Sequence, residues 1–203
     1  MADLPIDLGE PLTDRLASVL DVEAKIPRAL DALGPIAGRD VVLLDGVDGI
    51  RARQLNDLGA RVTFAGASPD ARIEAPDGSA DVLVSLWGPY RGASPAEGTE
   101  AARVLRPGGR LLLLLDYGRD DVSRLRGDIP EYGALSQRDG PLLRGGFKVR
   151  VVHCFWTFAS LGDARTFLEA AFGAIGREVA SAMQRPRLSY NIAVYHRTMD
   201  ATA

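Results

Sequence analysis

Apolar residues in this chain follow two rhythms in turn, short continuous runs and spacings of three to four. Residues 40–45, DVVLLD, form an unbroken apolar run closed by an acid, the pattern of a strand covered on both faces. A short helix is predicted from Ile50 to Leu58, with Asp48 as its cap and Gly59 as its stop. RVTFAGA, residues 61–67, reads as a second strand and ADVLVSLW, residues 80–87, as a third. Ser94, Pro95 and Glu97 carry a helix-start signature of cap, first-turn proline and capping box. That helix buries Ala101, Val104 and Leu105, stops at RPGG, and is followed by a buried strand, RLLLLLD.

Residues 117–146 are polar and rich in Gly, Asp and Arg, and read as an excursion over the sheet. A strand over 147–158, a helix opened by Ser160 and closed by Gly173, and a strand over 186–197 complete the pattern. Upstream, Leu12, Leu16, Val19 and Leu20 lie on one helical face. A second helix starts near Pro27, carries Leu30 and Leu33, and stops at Gly34 and Pro35. Alternating strands and helices of this kind predict an α/β fold: a doubly wound, mostly parallel sheet with crossover helices and one antiparallel strand near its end. Residues 1–35 are expected to be a helical segment packed on an α/β domain of residues 36–203.

Composition narrows the function. A chain of 203 residues fits one domain. A net charge of −3 provides no general attraction for nucleic acid or an anionic membrane, so neither is expected as a partner. The first residues lack the basic and apolar segments of a signal peptide, and no apolar run approaches a membrane span of roughly 18 residues. A cytoplasmic location is the expectation. The single cysteine, Cys154, lies inside an apolar strand and reads as a small buried hydrophobe. His153 and His196 lack a neighbouring nucleophile motif and read as structural.

Residues 75–116, APDGSADVLVSLWGPYRGASPAEGTEAARVLRPGGRLLLLLD, resemble the class I S-adenosylmethionine-dependent methyltransferases. That family shows a Pro-Asp-Gly-Ser-aromatic-Asp strand, a helix ending in RVLRPGG and an apolar strand in this order. The resemblance extends over most of residues 36–197. It implies a Rossmann-like fold with S-adenosylmethionine as cofactor, held, if it binds, by Asp45, Gly46, Asp48, Gly49 and Gly66.

The cofactor motifs depart from the family in three places. Against the family's acid and three alternating glycines, the loop after the first strand places Leu43, Asp45, Val47 and Gly49. Glycine permits positive φ and close backbone approach, and the β-branched Val47 resists both. The second strand ends in Gly66, where the family has an acid that accepts both ribose hydroxyls. Only SPDARIEA, residues 68–75, stands where the family has a helix and another strand, so the second strand should form a shortened edge.

These departures favour a methyltransferase-like protein with an eroded cofactor site, a pseudoenzyme acting as a binding or assembly subunit with no catalytic residue and no bound cofactor. Its partner would be a second copy, giving a homodimer, or a related subunit on the exposed edge. Asp48 is then a helix cap and Asp45 a solvated turn residue. The alternative is an active S-adenosylmethionine-dependent methyltransferase whose small-molecule acceptor meets Trp87, Tyr90 and Tyr117. A sensor for an unrelated metabolite is a further alternative. A metal held by Asp45, Asp48, Asp116, Asp120 or Asp121 is disfavoured, since loop carboxylates usually pair or stay solvated. So is an NAD-type site, because DGVDGI lacks the dinucleotide glycine pattern.

Overall fold

The structure is a computed structural model describing residues 3–46, 48–127 and 131–199, without the side chains of residues 131–133. Six strands form one sheet in the order β2-β1-β3-β4-β6-β5. They are β1 (Asp40–Leu44), β2 (Arg61–Ala65), β3 (Ala80–Leu86), β4 (Leu105–Asp116), β5 (Lys148–Thr157) and β6 (Arg187–Thr198). The first four are parallel, and β6 runs antiparallel to both β4 and β5. The fold class is therefore the predicted one. Strand order reverses between β1 and β3, which sets a crevice at the carboxyl ends of those strands.

Alternate residues of each strand face two apolar layers. Val41, Leu43, Val84 and Leu114 face one side, with α1 (Leu12–Val19), α2 (Lys25–Leu33), α3 (Ile50–Asp57) and α8 (Leu161–Ala182) packed on it. Val42, Leu44, Leu83 and Leu113 face the other, covered by α4 (Pro95–Val104) and by Ile73 from the loop after β2. The capping box of α4 forms as predicted: Glu97 N donates to Ser94 Oγ at 3.2 Å, and Ser94 N to a Glu97 Oε at 3.0 Å. Ser160 likewise caps α8, accepting from Asp163 N at 3.1 Å.

Four points go against the expectations or beyond them. The polar stretch after β4 is no loose excursion but contains three short helices, α5 (Asp121–Arg126), α6 (Glu131–Ser136) and α7 (Pro141–Arg144). The helix opened by Ser160 does end at Gly173, which takes φ 59°, but a second helical stretch unread in the sequence folds back from that kink and runs to Ala182, bringing Arg165 Nη2 to 3.3 Å from Ser181 Oγ. RPGG does not delay β4 to residue 110, since the strand runs from Leu105 with an irregular register beside Ala80 and Val82. A Cβ on Gly109 would lie 2.8 Å from Arg106 O and 3.1 Å from Asp81 O, so glycine is what admits this close approach. The fourth is that Asp48 does not cap α3. The cap position is Gly49, which offers no side chain, and Asp48 is exposed.

The connection from β2 to β3 carries no helix, and β2 is an edge strand paired only with β1. Its residue Phe64 is 46% exposed. The short segment that follows β2 makes a single antiparallel bridge, between Ala67 and Ile73. Among the described residues, no helix is long and apolar enough to cross a membrane.

Candidate ligand crevice

The turn after β1 reaches its shape by means other than a run of glycines. Asp45 takes φ 49°, the left-handed conformation that aspartate tolerates better than most side chains. It is not a solvated turn residue. Its N–H donates to Ala65 O at 2.8 Å, and its Oδ1 accepts from Ala67 N at 3.0 Å, tying the turn to the end of β2. Its Oδ2 is buried and lacks a hydrogen-bond partner among the described residues. Gly46 is required for packing, because a Cβ there would lie 2.5 Å from Leu43 Cγ. Val47 lies outside the described residues.

Glycine at the cap leaves the first amides of α3 without a side-chain acceptor from the loop itself. The acceptor comes instead from the chain's own start. Asp3, 6% exposed, sets one carboxylate oxygen 3.4 Å from Arg51 N and also faces the amide of Ile50. Its other oxygen is buried without a hydrogen-bond partner among the described residues, and burial raises its pKa. Leu4 follows into the core at 5% exposure, and Arg126 Nη2 donates to Pro5 O at 3.3 Å.

Arg51, on the first turn of α3, is buried at 1% exposure. Its Nη1 donates to Gln54 Oε1 at 2.7 Å, while Nε and Nη2 find no hydrogen-bond partner among the described residues. Its guanidinium carbon lies 6.0 Å from the centre of the Trp87 ring, and burial lowers its pKa. On the far side, the Trp87 indole N–H donates to Asp116 Oδ1 at 3.0 Å, an atom that also accepts from the Tyr190 hydroxyl. Arg126 Nη1 completes this group at 2.5 Å from Asp116 Oδ2.

The end of β2 is arranged differently. A Cβ on Gly66 would lie 3.1 Å from Glu74 Oε2 and 3.5 Å from its Cδ. The Glu74 carboxylate thus stands in the space of the missing side chain. Its own N–H donates to Gly66 O at 3.0 Å. The residues on either side of it are clasped by α4: Arg103 donates to Ile73 O and Ala75 O, both at 2.8 Å, and Ile73 N donates to Glu100 Oε2 at 3.1 Å. Arg103 and the other donors hold the Glu100 carboxyl down at about 2.

Of the residues singled out in the sequence, Asp45, Gly46, Gly49 and Gly66 share the β1–β2 side of the crevice. The three aromatic candidates are not brought together. Trp87 packs against the α3 side of the sheet, whereas Tyr90 and Tyr117 pack on the α4 side. Tyr90 is 3% exposed and gives its hydroxyl proton to Glu97 O at 2.6 Å, with burial pushing its pKa up.

The acids after β4 are engaged with protein donors. Asp120 accepts from Ser123 N at 2.7 Å and Asn191 N at 2.8 Å, and Asp121 from Ser189 N at 2.9 Å and Arg124 Nη2 at 2.6 Å. No group of three potential metal ligands occurs among the described residues. Cys154 is buried, which pushes its thiol pKa up, and His153 Nδ1 lies 2.7 Å from Asn191 Oδ1. Asp3, Arg51 and Glu74 were missed by sequence reasoning. Only Glu74 had a local signal, an acid within the shortened segment that follows Gly66.

No protein-family model matches the chain, and no curated protein matches it in sequence. Solved structures do match it in fold. A candidate type II methyltransferase from Anaeromyxobacter dehalogenans aligns at 18% identity over 87% of this chain and 96% of its own, with a TM-score of 0.52. A chain from the complex of the Haloferax volcanii Trm112 methyltransferase activator with a candidate methyltransferase aligns at 16% identity over 95% and 92%, with a TM-score of 0.53. YcgJ from Bacillus subtilis aligns at 11% identity over 89% and 100%, with a TM-score of 0.51. Sheet order and likeness together give the chain the Rossmann-like fold of the class I S-adenosylmethionine-dependent methyltransferases.

Proposed function

We propose that this protein keeps the methyltransferase fold without methyl transfer, and that it works as a binding or assembly subunit. The observation that carries this reading is the Asp3 carboxylate on the first amides of α3. A helix N-terminus at this end of the sheet is where an anionic ligand group would be held. Here the chain's own carboxylate stands there, backed by the buried Leu4. The methionine end of S-adenosylmethionine would have to displace both, so the residues present do not fit that group. Gly66 adds no side-chain acceptor on β2, and Asp45 spends one oxygen on Ala67 N.

The partner surface in this reading is the β2 edge, which meets a second copy of the chain. Support comes from unpaired backbone along one side of β2 and from the half-exposed Phe64 beside it. Calorimetric titration with S-adenosylmethionine and S-adenosylhomocysteine tests the first part: no heat is expected at millimolar ligand. Saturable binding near micromolar, worth about 8 kcal/mol, would overturn it and favour the active enzyme. Light scattering after gel filtration tests the second part, with a dimer expected for the native chain and a monomer for Phe64→Lys. A native monomer at concentrations of about 100 μM, where a Kd of about 1 μM would leave mostly dimer, would remove the edge from the proposal.

A further inference from the structure

We propose that a cavity at the β5 side of the sheet binds a small amphipathic carboxylate, its apolar body against Phe155 and Leu188 and its head against Arg185 and Arg187. The cavity stands at the opposite end of the strand order from β2, and none of Asp45, Gly49, Gly66, Trp87, Tyr90 or Tyr117 lines it. The proposal therefore goes beyond the reading above.

The cavity holds about 550 Å³, within the usual range for small-molecule sites. Its floor is apolar: Phe155 and Leu188 come from the paired strands β5 and β6, and Val179 and Met183 from the C-terminal end of α8. Its rim is cationic, with Arg124, Arg185 and Arg187. In a chain of net charge −3 this concentration of guanidinium groups runs against the average.

Nearby acids do not neutralise it. Asp121 lines the same cavity, but it already accepts from Arg124 Nη2 at 2.6 Å and from Ser189 N and Oγ at 2.9 and 2.6 Å. Glu23 lies 2.5 Å from Lys25 Nζ. Arg185 and Arg187 have no ion pair and no side-chain hydrogen bond among the described residues. Their backbone is nevertheless held in place: Arg187 N donates to Arg185 O at 2.8 Å, and Phe158 N to the oxygen of the intervening Pro186 at 2.8 Å. The Arg187 guanidinium carbon sits 4.5 Å from the centre of the Phe155 ring. A guanidinium seated on a ring keeps its N–H groups at its edge, where they can meet an anion beside the apolar floor.

These features set the ligand. Two unpaired guanidinium groups suit a carboxylate, whose two oxygens match their planar forks. The apolar floor calls for an alkyl or aryl body behind that head. The Asp121 charge opposes further negative charge in the same space, which disfavours a nucleotide or another polyanion.

The test is a calorimetric titration of the full chain with octanoate, alongside octan-1-ol, which lacks the charge, and acetate, which lacks the apolar body. Octanoate is expected to bind saturably with a Kd of about 100 μM, and the other two about tenfold more weakly or worse. Arg185→Gln and Arg187→Gln should each weaken octanoate about tenfold. Both residues are exposed, so thermal unfolding should move by no more than about 2 °C. No saturable binding of octanoate at millimolar concentration would overturn the proposal. Equal affinity for octan-1-ol, or insensitivity to both arginine variants, would do so too. Co-sedimentation with phosphatidylglycerol vesicles in the absence of octanoate binding would also overturn it, and would assign the arginines to an anionic membrane surface instead.

Discussion

The two ends of the crevice solve opposite problems. At α3 the chain presents backbone donors, and a buried donor without a partner costs about 1–3 kcal/mol. The N-terminal segment meets that need by bringing in Asp3. At β2 the group on offer is a carboxylate at the surface, which water satisfies, so the fold leaves Glu74 open. A scaffold that gives up an anionic ligand must therefore refill its donor end, whereas its acceptor end can stay free at little cost. One end is closed and rigid, and the other remains available.

The strongest way to break this contrast is Asp116→Ala, which unfastens the closed end. Asp116 joins Trp87, Tyr190 and Arg126, and the Arg126 side chain, 14% exposed, also holds Pro5 O. Removing the carboxylate breaks a largely buried ion pair and takes away the acceptor of the Trp87 indole N–H, so a loss of about 3–5 kcal/mol is expected in urea unfolding. Amide exchange over residues 3–6 should quicken in the same variant. A loss below about 1 kcal/mol would mean that water replaces the carboxylate and that the closed end is looser than its contacts imply.

Gly46→Ala comes next, at the seam between the two ends. Its Cβ would fall 2.5 Å from Leu43 Cγ and 2.6 Å from Leu43 Cδ2. Because Leu43 is fully buried, the strain cannot be relieved outward, and about 1–3 kcal/mol should be lost in the same assay. A neutral result would show that the turn can slide away from β1.

Glu100→Gln loosens the open end, and its effect depends on pH. The folded-state carboxyl is held at about 2, below its ordinary 4.5, chiefly by Arg103. Its contribution is therefore complete above pH about 4.5 and disappears as pH falls toward 2. Native protein should exceed the variant by about 1 kcal/mol near neutrality, and the gap should close in acid. A gap that persists at pH about 2 would mean that packing of Ile73, and not the charge, holds the Glu74 loop.

The sequence made the frame legible and half of the crevice. The succession of strands and helices, the capping box of α4 and the short β2–β3 connection all follow from local patterns, because apolar runs, a Ser-Pro-x-Glu signal and missing length act on near neighbours. The two carboxylates at the ends of the crevice were harder to see. Asp3 reaches α3 from 48 positions away, and nothing in residues 48–51 announces that its acceptor will come from outside. Asp48 stood in the cap's usual place, but Gly49 took that position and left the aspartate in solvent. Glu74 was visible as a residue but not as the neighbour of Gly66, since its place there depends on Arg103 of α4. Helical order inside residues 117–146 was hidden by short length, as pieces of 4–6 residues carry too little periodicity to read.

The smallest expected effect belongs to Asp3→Asn, and it sharpens the contrast most finely. Burial raises the Asp3 pKa despite the opposing pull of the Arg51 and Ile50 amides and the Arg51 charge. The ionised form is therefore the costly one: stability is lost as pH rises from 3.8, the ordinary value, through the raised one. Asparagine satisfies helix amides about as well as aspartate and carries no charge. The variant should match native stability in acid and exceed it at neutral pH, measured by urea unfolding at both pH values. If the variant instead lost about 2 kcal/mol at neutral pH, the carboxylate would be the working counter-charge of Arg51. The N-terminal segment would then be an integral part of the core and not an occupant of the crevice, and the closed end could not be opened without unfolding it.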